Sequence, residues 1–254
     1  LDILIEDGLL TNLEVQSKNW GDDPRNIDYG LIYESRFEIL SLAKERGYEK
    51  DKDEIDEFVS KNHWLSDYAL FMACKRHFGM KAWTEWKDDD IRLRKSEAVI
   101  NAYKEKLKDD IELFIYIQFL FFKQWNKLKA YINDLGIKII GDLPIYVAMD
   151  SADVWANKHV FRMNENGTQS VHAGVPPDAF SNEGQDRGNP LYDWDALKED
   201  GYGWWLRRLK AAARLYEVIR IDHFRAFEYM TNHLSDPLSE SLIKEINRLV
   251  TQNT

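Results

Sequence analysis

The chain is poor in cysteine and proline, with one cysteine and six prolines, and has no excess of positive charge. A lone thiol, Cys74, excludes an intramolecular disulfide and suits a reducing compartment, so the expected location is the cytoplasm. Asp and Glu number 44 against 34 Lys and Arg, a net charge of −10. That sign argues against nucleic acid or an anionic membrane as the main partner. The most apolar run, residues 113–122, is too short to span a bilayer and is interrupted by Gln118. No Gly-x-x-x-x-Gly-Lys-Ser/Thr or Gly-x-Gly-x-x-Gly pattern occurs, so a nucleotide site has no support. The six histidines show no zinc spacing with cysteine. Asp88, Asp89 and Asp90 lack the alternating oxygen ligands and glycine of a calcium loop and read as a solvated helix start. No metal and no cofactor is expected. No secretory leader is evident, and Leu1 is not an initiator methionine, so an upstream segment is expected.

What is present is a core and many rings. The 254 residues are 44% hydrophobic, enough for one large domain or two small ones. Nine tryptophans, twelve tyrosines and twelve phenylalanines form a heavy aromatic load. Rings stack on the apolar faces of sugars and also fill cores, and composition does not choose between the two.

Residues 1 to about 135 read as mainly helical. Helical spacing at Phe37, Ile39, Leu40 and Ala43 predicts a helix over 35–46 that stops at Gly47. The pattern continues over 54–59 and 64–78, with Gly79 closing the latter and Cys74 a buried small apolar residue. Residues 91–107 predict a charged helix with a solvated outer face. The longest candidate is 109–135, whose stripe of Phe114, Tyr116, Phe119, Phe121, Phe122 and Trp125 reads as core. The β-branched run 137–140 predicts a buried parallel strand whose end carries Asp142, Pro144 and Tyr146. Residues 159–172 predict a hairpin with Asn166-Gly167 at its turn, and 175–192 a loop long enough to suspect function. A helix over 203–216 then returns the chain to a second strand, 218–221. Strand, crossover and strand make a βαβ unit, and such crossovers are right-handed.

Chemistry concentrates at residues 218–225, Val-Ile-Arg-Ile-Asp-His-Phe-Arg. Strand alternation puts Arg220 and Asp222 on one face. A carboxylate beside a fixed guanidinium stays ionised and keeps one orientation, as a glycoside-cleaving nucleophile at a strand's C-terminal end requires. A structural ion pair at a sheet edge is the alternative.

Two further stretches carry a resemblance. Residues 136–155 read Gly-Ile-Lys-Ile-Ile-Gly-Asp-Leu-Pro-Ile-Tyr-Val-Ala-Met-Asp-Ser-Ala-Asp-Val-Trp. Residues 173–194 read Ala-Gly-Val-Pro-Pro-Asp-Ala-Phe-Ser-Asn-Glu-Gly-Gln-Asp-Arg-Gly-Asn-Pro-Leu-Tyr-Asp-Trp. With 218–225, in this order, they resemble the amylomaltases, the 4-α-glucanotransferases or disproportionating enzymes of glycoside hydrolase family 77. Residues 64–78, 83–92 and 119–135 share the likeness, which extends over most of 1–229.

The resemblance implies an α/β fold: a partial (β/α)8 TIM barrel with a large helical insertion subdomain. It divides the chain into a mainly helical 1–135, a part at 136–230 resembling the third and fourth barrel strands with an active-site loop, and a C-terminal helix in 231–254. It implies that Asp222 matches the catalytic nucleophile and Arg220 the arginine that supports it. Asp142 matches a substrate-site aspartate, with Tyr146 close behind it and His223 and Arg225 in the nucleophile's motif. Asp178, Phe180, Ser181, Gln185 and Arg187 lie in a loop resembling the one that borders the sugar sites. The implied partners are α-1,4-glucans and maltooligosaccharides, and the oligomeric state is left open. Rival readings are a non-catalytic glucan-binding or scaffold fragment, and an α-glucan hydrolase on the same barrel.

The sequence departs from the family pattern in three places. Arg187 stands where tryptophan is usual. The strands that should come first are absent. After Tyr229 and Met230 neither the Glu-Asp-Leu-Gly motif, with the acid/base glutamate, nor the later His-Asp motif occurs. Either the gene product is truncated and has lost a central block, or these residues are parts of a longer polypeptide; the second is the expectation.

Overall fold

A computed structural model describes residues 1–23, 25–175, 182–183 and 185–221, with backbone alone at 172, 175 and 185–187. The first helices are set by their caps. After α1 (Asp2–Glu6), Thr11 and Glu14 form a capping box that opens α2 (Asn12–Gln16), and Asp28 caps α3 (Tyr29–Gly47) through the N–H of Leu31. α4 (Lys52–Lys61) and α5 (Trp64–His77) follow. Asp88 accepts from the N–H groups of Asp90 and Ile91 and starts α6 (Asp89–Arg92), the helix start read from the sequence. The single helix expected over 91–107 is broken, however. Arg94 takes a left-handed φ of 51°, and Ser96 caps a new helix, α7 (Glu97–Lys106). α8 (Lys108–Asp134) runs for 27 residues.

Contacts divide the chain into two interleaved units, 1–81 with 96–124, and 82–95 with the chain from 125 onward. In the first, Leu4, Leu9, Leu10, Ile39, Ala43, Tyr48, Ile55, Tyr116, Phe119 and Leu120 form one apolar cluster. α5 buries Leu65, Ala69, Leu70, Phe71, Ala73 and Cys74 in the same unit. The aromatic stripe of α8 is core at Phe114, Tyr116 and Phe119, whereas Phe121 is 52% exposed. Arg46 forks onto Glu14 at 2.9 and 2.6 Å and donates to the carbonyl of Leu9, tying α3 to the first turns of the chain.

The second unit holds the strands. β1 (Ile140–Leu143) pairs in parallel with β4 (Val218–Ile221), and β2 (His172–Val175) pairs antiparallel with β3 (Gln185–Pro190). Between them lie α9 (Ala152–Ala156), α10 (Trp194–Glu199) and α11 (Gly203–Leu215). β4 and α11 fall where the sequence predicts them, and the βαβ connection is present.

Strand β1 begins three residues late. Residues 136 and 137 are used to stop α8: the N–H of Gly136 bonds the carbonyl of Asn133, and that of Ile137 the carbonyl of Ile132. Ile137 is 55% and Ile140 68% exposed, so the run is not the doubly buried strand expected of 137–140. The Asn166-Gly167 turn is present, spanned by a single bridge between Met163 and Gln169. The chain at 172–175 leaves that hairpin to pair with β3, so part of the expected loop 175–192 is strand. The α/β class is observed. Among the described residues β1–β4 is the parallel pair, and no closed barrel is seen. The helix expected in 231–254 lies outside the described residues.

Candidate active site

β1 and β4 are fastened first at their N-terminal ends. The N–H groups of Glu217 and Val218 both donate to the carbonyl of Ile139 at 3.2 Å. The Glu217 carboxylate accepts from Lys129 at 2.8 Å and from the N–H of Ile139 at 2.9 Å. These bonds to the charged form hold its carboxyl at about 2, well below the ordinary range. One step along, Gly141 faces the ring of Tyr216, and a Cβ there would land inside that ring. The ring meets Trp125 edge-on at 6.0 Å, while Trp125 donates to the carbonyl of Leu215. Glycine is required at 141 because backbone and ring approach so closely.

With the register so set, Asp142 lies opposite Arg220. The guanidinium donates from Nε to Oδ1 at 3.2 Å and from Nη2 to Oδ2 at 3.1 Å. Both side chains are open to solvent, 53% for Asp142 and 61% for Arg220. An exposed pair contributes at most about 1 kcal/mol, so its importance is geometric. It presents an oriented carboxylate and a cation at the C-terminal ends of adjacent parallel strands, where α/β folds place their chemistry.

The sequence singles out both residues and sets Arg220 beside Asp222, which lies outside the described residues; the fork with Asp142 is a further contact of the same guanidinium. No sequence signal pairs them, because the expected strand 137–140 ends before Asp142 whereas β1 (Ile140–Leu143) contains it. Tyr146 lies half-buried just beyond β1. Gln185 and Arg187 lie on β3, described by backbone alone. Asp178, Phe180, Ser181, Asp222, His223 and Arg225 lie outside the described residues.

Sequence reasoning also misses a set of anchors. Among the described residues the segment after β1 joins no strand ladder, and four of its carbonyls accept from side chains elsewhere in the same unit. Arg208 donates to the carbonyl of Pro144 at 2.9 Å and Tyr192 to that of Ile145 at 2.5 Å. Asn189 donates to Val147 at 2.9 Å and Trp83 to Met149 at 2.7 Å. Arg208 lies over Trp204 and Trp205 at 4.9 and 5.1 Å. Burial raises the Tyr192 hydroxyl well above its usual range, so it stays a donor. Burial also raises Asp153, on α9, against the opposing pull of Arg208. Nothing in spacing alone announces these partners, although Asn189 and Tyr192 stand in the motif quoted above.

Among the described residues no group of three or more His, Cys, Asp or Glu is placed to hold a metal ion. No helix among them is long and apolar enough to cross a membrane.

Comparison with known proteins adds three findings. The sequence model of the 4-alpha-glucanotransferases, glycoside hydrolase family 77, matches residues 2–232. The 4-alpha-glucanotransferase of Streptococcus pneumoniae serotype 4 is 46% identical over 230 residues, 90% of this chain and 45% of its own length. The chloroplastic/amyloplastic 4-alpha-glucanotransferase of Solanum tuberosum is 40% identical over 233 residues, 89% of this chain and 40% of its own. The structure is similar to that of the amylomaltase from Streptococcus agalactiae in complex with acarbose. There the TM-score is 0.85 at 38% identity, covering 89% of this chain and 46% of that one. The chain thus spans less than half the length of these relatives. With the family model matching nearly all of it, the chain belongs to the 4-alpha-glucanotransferase family, glycoside hydrolase family 77.

Proposed function

We propose that the polypeptide carrying this chain is a 4-α-glucanotransferase, an enzyme that moves segments of α-1,4-glucan between maltooligosaccharides. Its two parallel strands are read as part of a TIM barrel, with residues 1–135 as the helical insertion. Its location is read as the cytoplasm, on the strength of the single buried thiol. The observation that carries the reading is the in-register fork of Arg220 on Asp142. A glucan at this strand end would meet one fixed carboxylate and one fixed cation. Asp222, two positions beyond Arg220 in sequence, would attack the anomeric carbon and break its bond to the leaving oxygen. A separate carboxyl protonates that oxygen. It then takes the proton from the incoming hydroxyl, which displaces Asp222 and restores the original configuration. A sugar acceptor makes the reaction transfer, and water makes it hydrolysis. Asp142, Tyr146, Asp178, Phe180, Ser181, Gln185, Arg187 and His223 would contact the sugars.

Asp222→Asn in that polypeptide should lower maltotriose disproportionation by several orders of magnitude while glucan binding survives. Product lengths and free glucose are measured together. Near-normal turnover would remove Asp222 from its role. Glucose release without redistribution of chain lengths would make the protein a hydrolase, and binding without either reaction a non-catalytic glucan binder.

A further inference from the structure

Backbone carbonyls outside helices and sheets need donors, and in the segment after β1 four of them find side chains. Three of those donors are themselves held by other packing. Trp83 is fully buried, Tyr192 is 1% exposed, and Arg208 lies on two tryptophans. Asn189 differs. It lies on β3, within residues 175–192, the stretch read as the sugar-bordering loop. Its direction is set by an irregularity in the ribbon. His172 pairs with Pro190 but Gly174 pairs with Asp186, so a step of two along β2 is matched by a step of four along β3. The extra length is absorbed where Gly188 takes a φ of 63°, a conformation that favours glycine. A bulge of this kind re-aims the side chain beside it. Here the next residue reaches out of the ribbon and donates its amide to Val147. Gln169 secures the bulge by donating to the carbonyl of Gly188 at 2.8 Å.

We propose that Asn189 is a positioning residue for glucan binding. Its bond to Val147 couples the β2–β3 ribbon, with Gln185 and Arg187, to the segment that carries Tyr146 and follows Asp142. The proposal rests on the glucanotransferase reading for its substrate, but the coupling itself is a property of the chain. An aspartate of the same shape would turn an acceptor toward the Val147 carbonyl, alanine would leave that carbonyl without its donor, and glutamine would keep the amide.

The test uses the polypeptide carrying this chain, with Asn189→Asp, Asn189→Ala and Asn189→Gln. Loss of one part-buried hydrogen bond predicts a KM for maltotriose raised about tenfold in the Asp and Ala variants. The kcat should stay within about twofold, and Gln should restore part of the loss. Hydrogen exchange over residues 144–149 should quicken in Asp and Ala and recover in Gln. A KM unchanged in folded Asp and Ala variants overturns the positioning role, even if their melting temperature falls, because that is all a purely structural residue would give. Should neither variant fold, the wild type decides: maltotriose must slow exchange at 144–149 and 185–190 together, and slowing of one without the other overturns the coupling. A wild type without transfer activity would overturn the glucanotransferase reading instead, and exchange at 144–149 unaffected by Asn189→Asp would then overturn the coupling on its own.

Discussion

The two units fill their interiors differently. In the first, helices satisfy most of their own backbone groups, so beside the rings of Tyr116 and Phe119 much of the core is aliphatic: Ile39, Ile55, Leu65 and Leu70 are fully buried and ask nothing of their neighbours but shape. In the second, short strands and irregular connections leave carbonyls that need donors. The large buried side chains there are Trp83, Trp155, Tyr192 and Trp205. Trp83 donates to Met149, Trp155 to Ile91 at 3.3 Å, and Tyr192 to Ile145. A buried ring with an N–H or O–H at its edge fills volume and completes backbone bonding together. Part of the aromatic load that composition leaves undecided between sugars and core is therefore core, in the unit that bears the candidate site.

This contrast breaks most severely at Trp83. Trp83→Ala removes a fully buried ring and leaves the Met149 carbonyl with the N–H of Ser151 alone, and should cost about 4 kcal/mol in urea unfolding. It should also quicken hydrogen exchange over residues 144–149. Ile39→Ala, in the aliphatic core, should cost about 3 kcal/mol and leave exchange at 144–149 unchanged. If both substitutions loosen that segment equally, the division of labour between the units is wrong.

Tyr192→Phe sharpens the same point at smaller scale. The ring and its packing against Trp204 and Trp205 remain, and only the hydroxyl is lost. About 1–2 kcal/mol of stability should go, with local exchange near Ile145 quickened. An unchanged unfolding curve would show that packing, not the hydrogen bond, holds the segment.

The smallest expected effect is where the units behave alike. Glu14 in the first and Glu217 in the second are both lowered from 4.5 to about 2. The leading cause is a hydrogen bond from Arg46 in one case and from Lys129 in the other. A carboxyl depressed in the folded state contributes stability that is complete above its ordinary value and is lost as pH falls toward the folded one. Glu14→Gln and Glu217→Gln should each flatten the fall in stability between pH 4.5 and about 2, measured by acid titration of the unfolding midpoint. A curve with the wild-type slope would remove the carboxylate in question from that role.

Periodicity made most helices legible, because a 3.6-residue apolar stripe survives wherever a helix meets a core. It failed at Arg94, where the pattern runs on through a residue whose backbone reverses hand. It failed again at Ile137, where β-branched residues that look like a strand are spent on ending α8. For the candidate site, the contact between Asp142 and Arg220 was not legible. Asp142 and Arg220 each stood out, but their pairing depends on strand register, which the pattern of either segment alone does not contain. The donors to 144–149 were hidden for the same reason: a side chain bonded to a distant carbonyl leaves no period in the sequence.

The fork between Asp142 and Arg220 also bears on the order in which the molecule assembles. Its partners are 78 residues apart. Closing a loop of that length costs about 4 kcal/mol of chain entropy in the simplest polymer estimate. A solvent-exposed pair returns at most about 1 kcal/mol, so it cannot draw the strands together. Burial of the rings on α11 and of the segment before α9 has to bring β4 to β1, and the fork closes once they arrive. The two charges are therefore a late product of folding: a nascent chain has neither the fork nor the strand end it marks until residue 221 has been made and the crossover has packed.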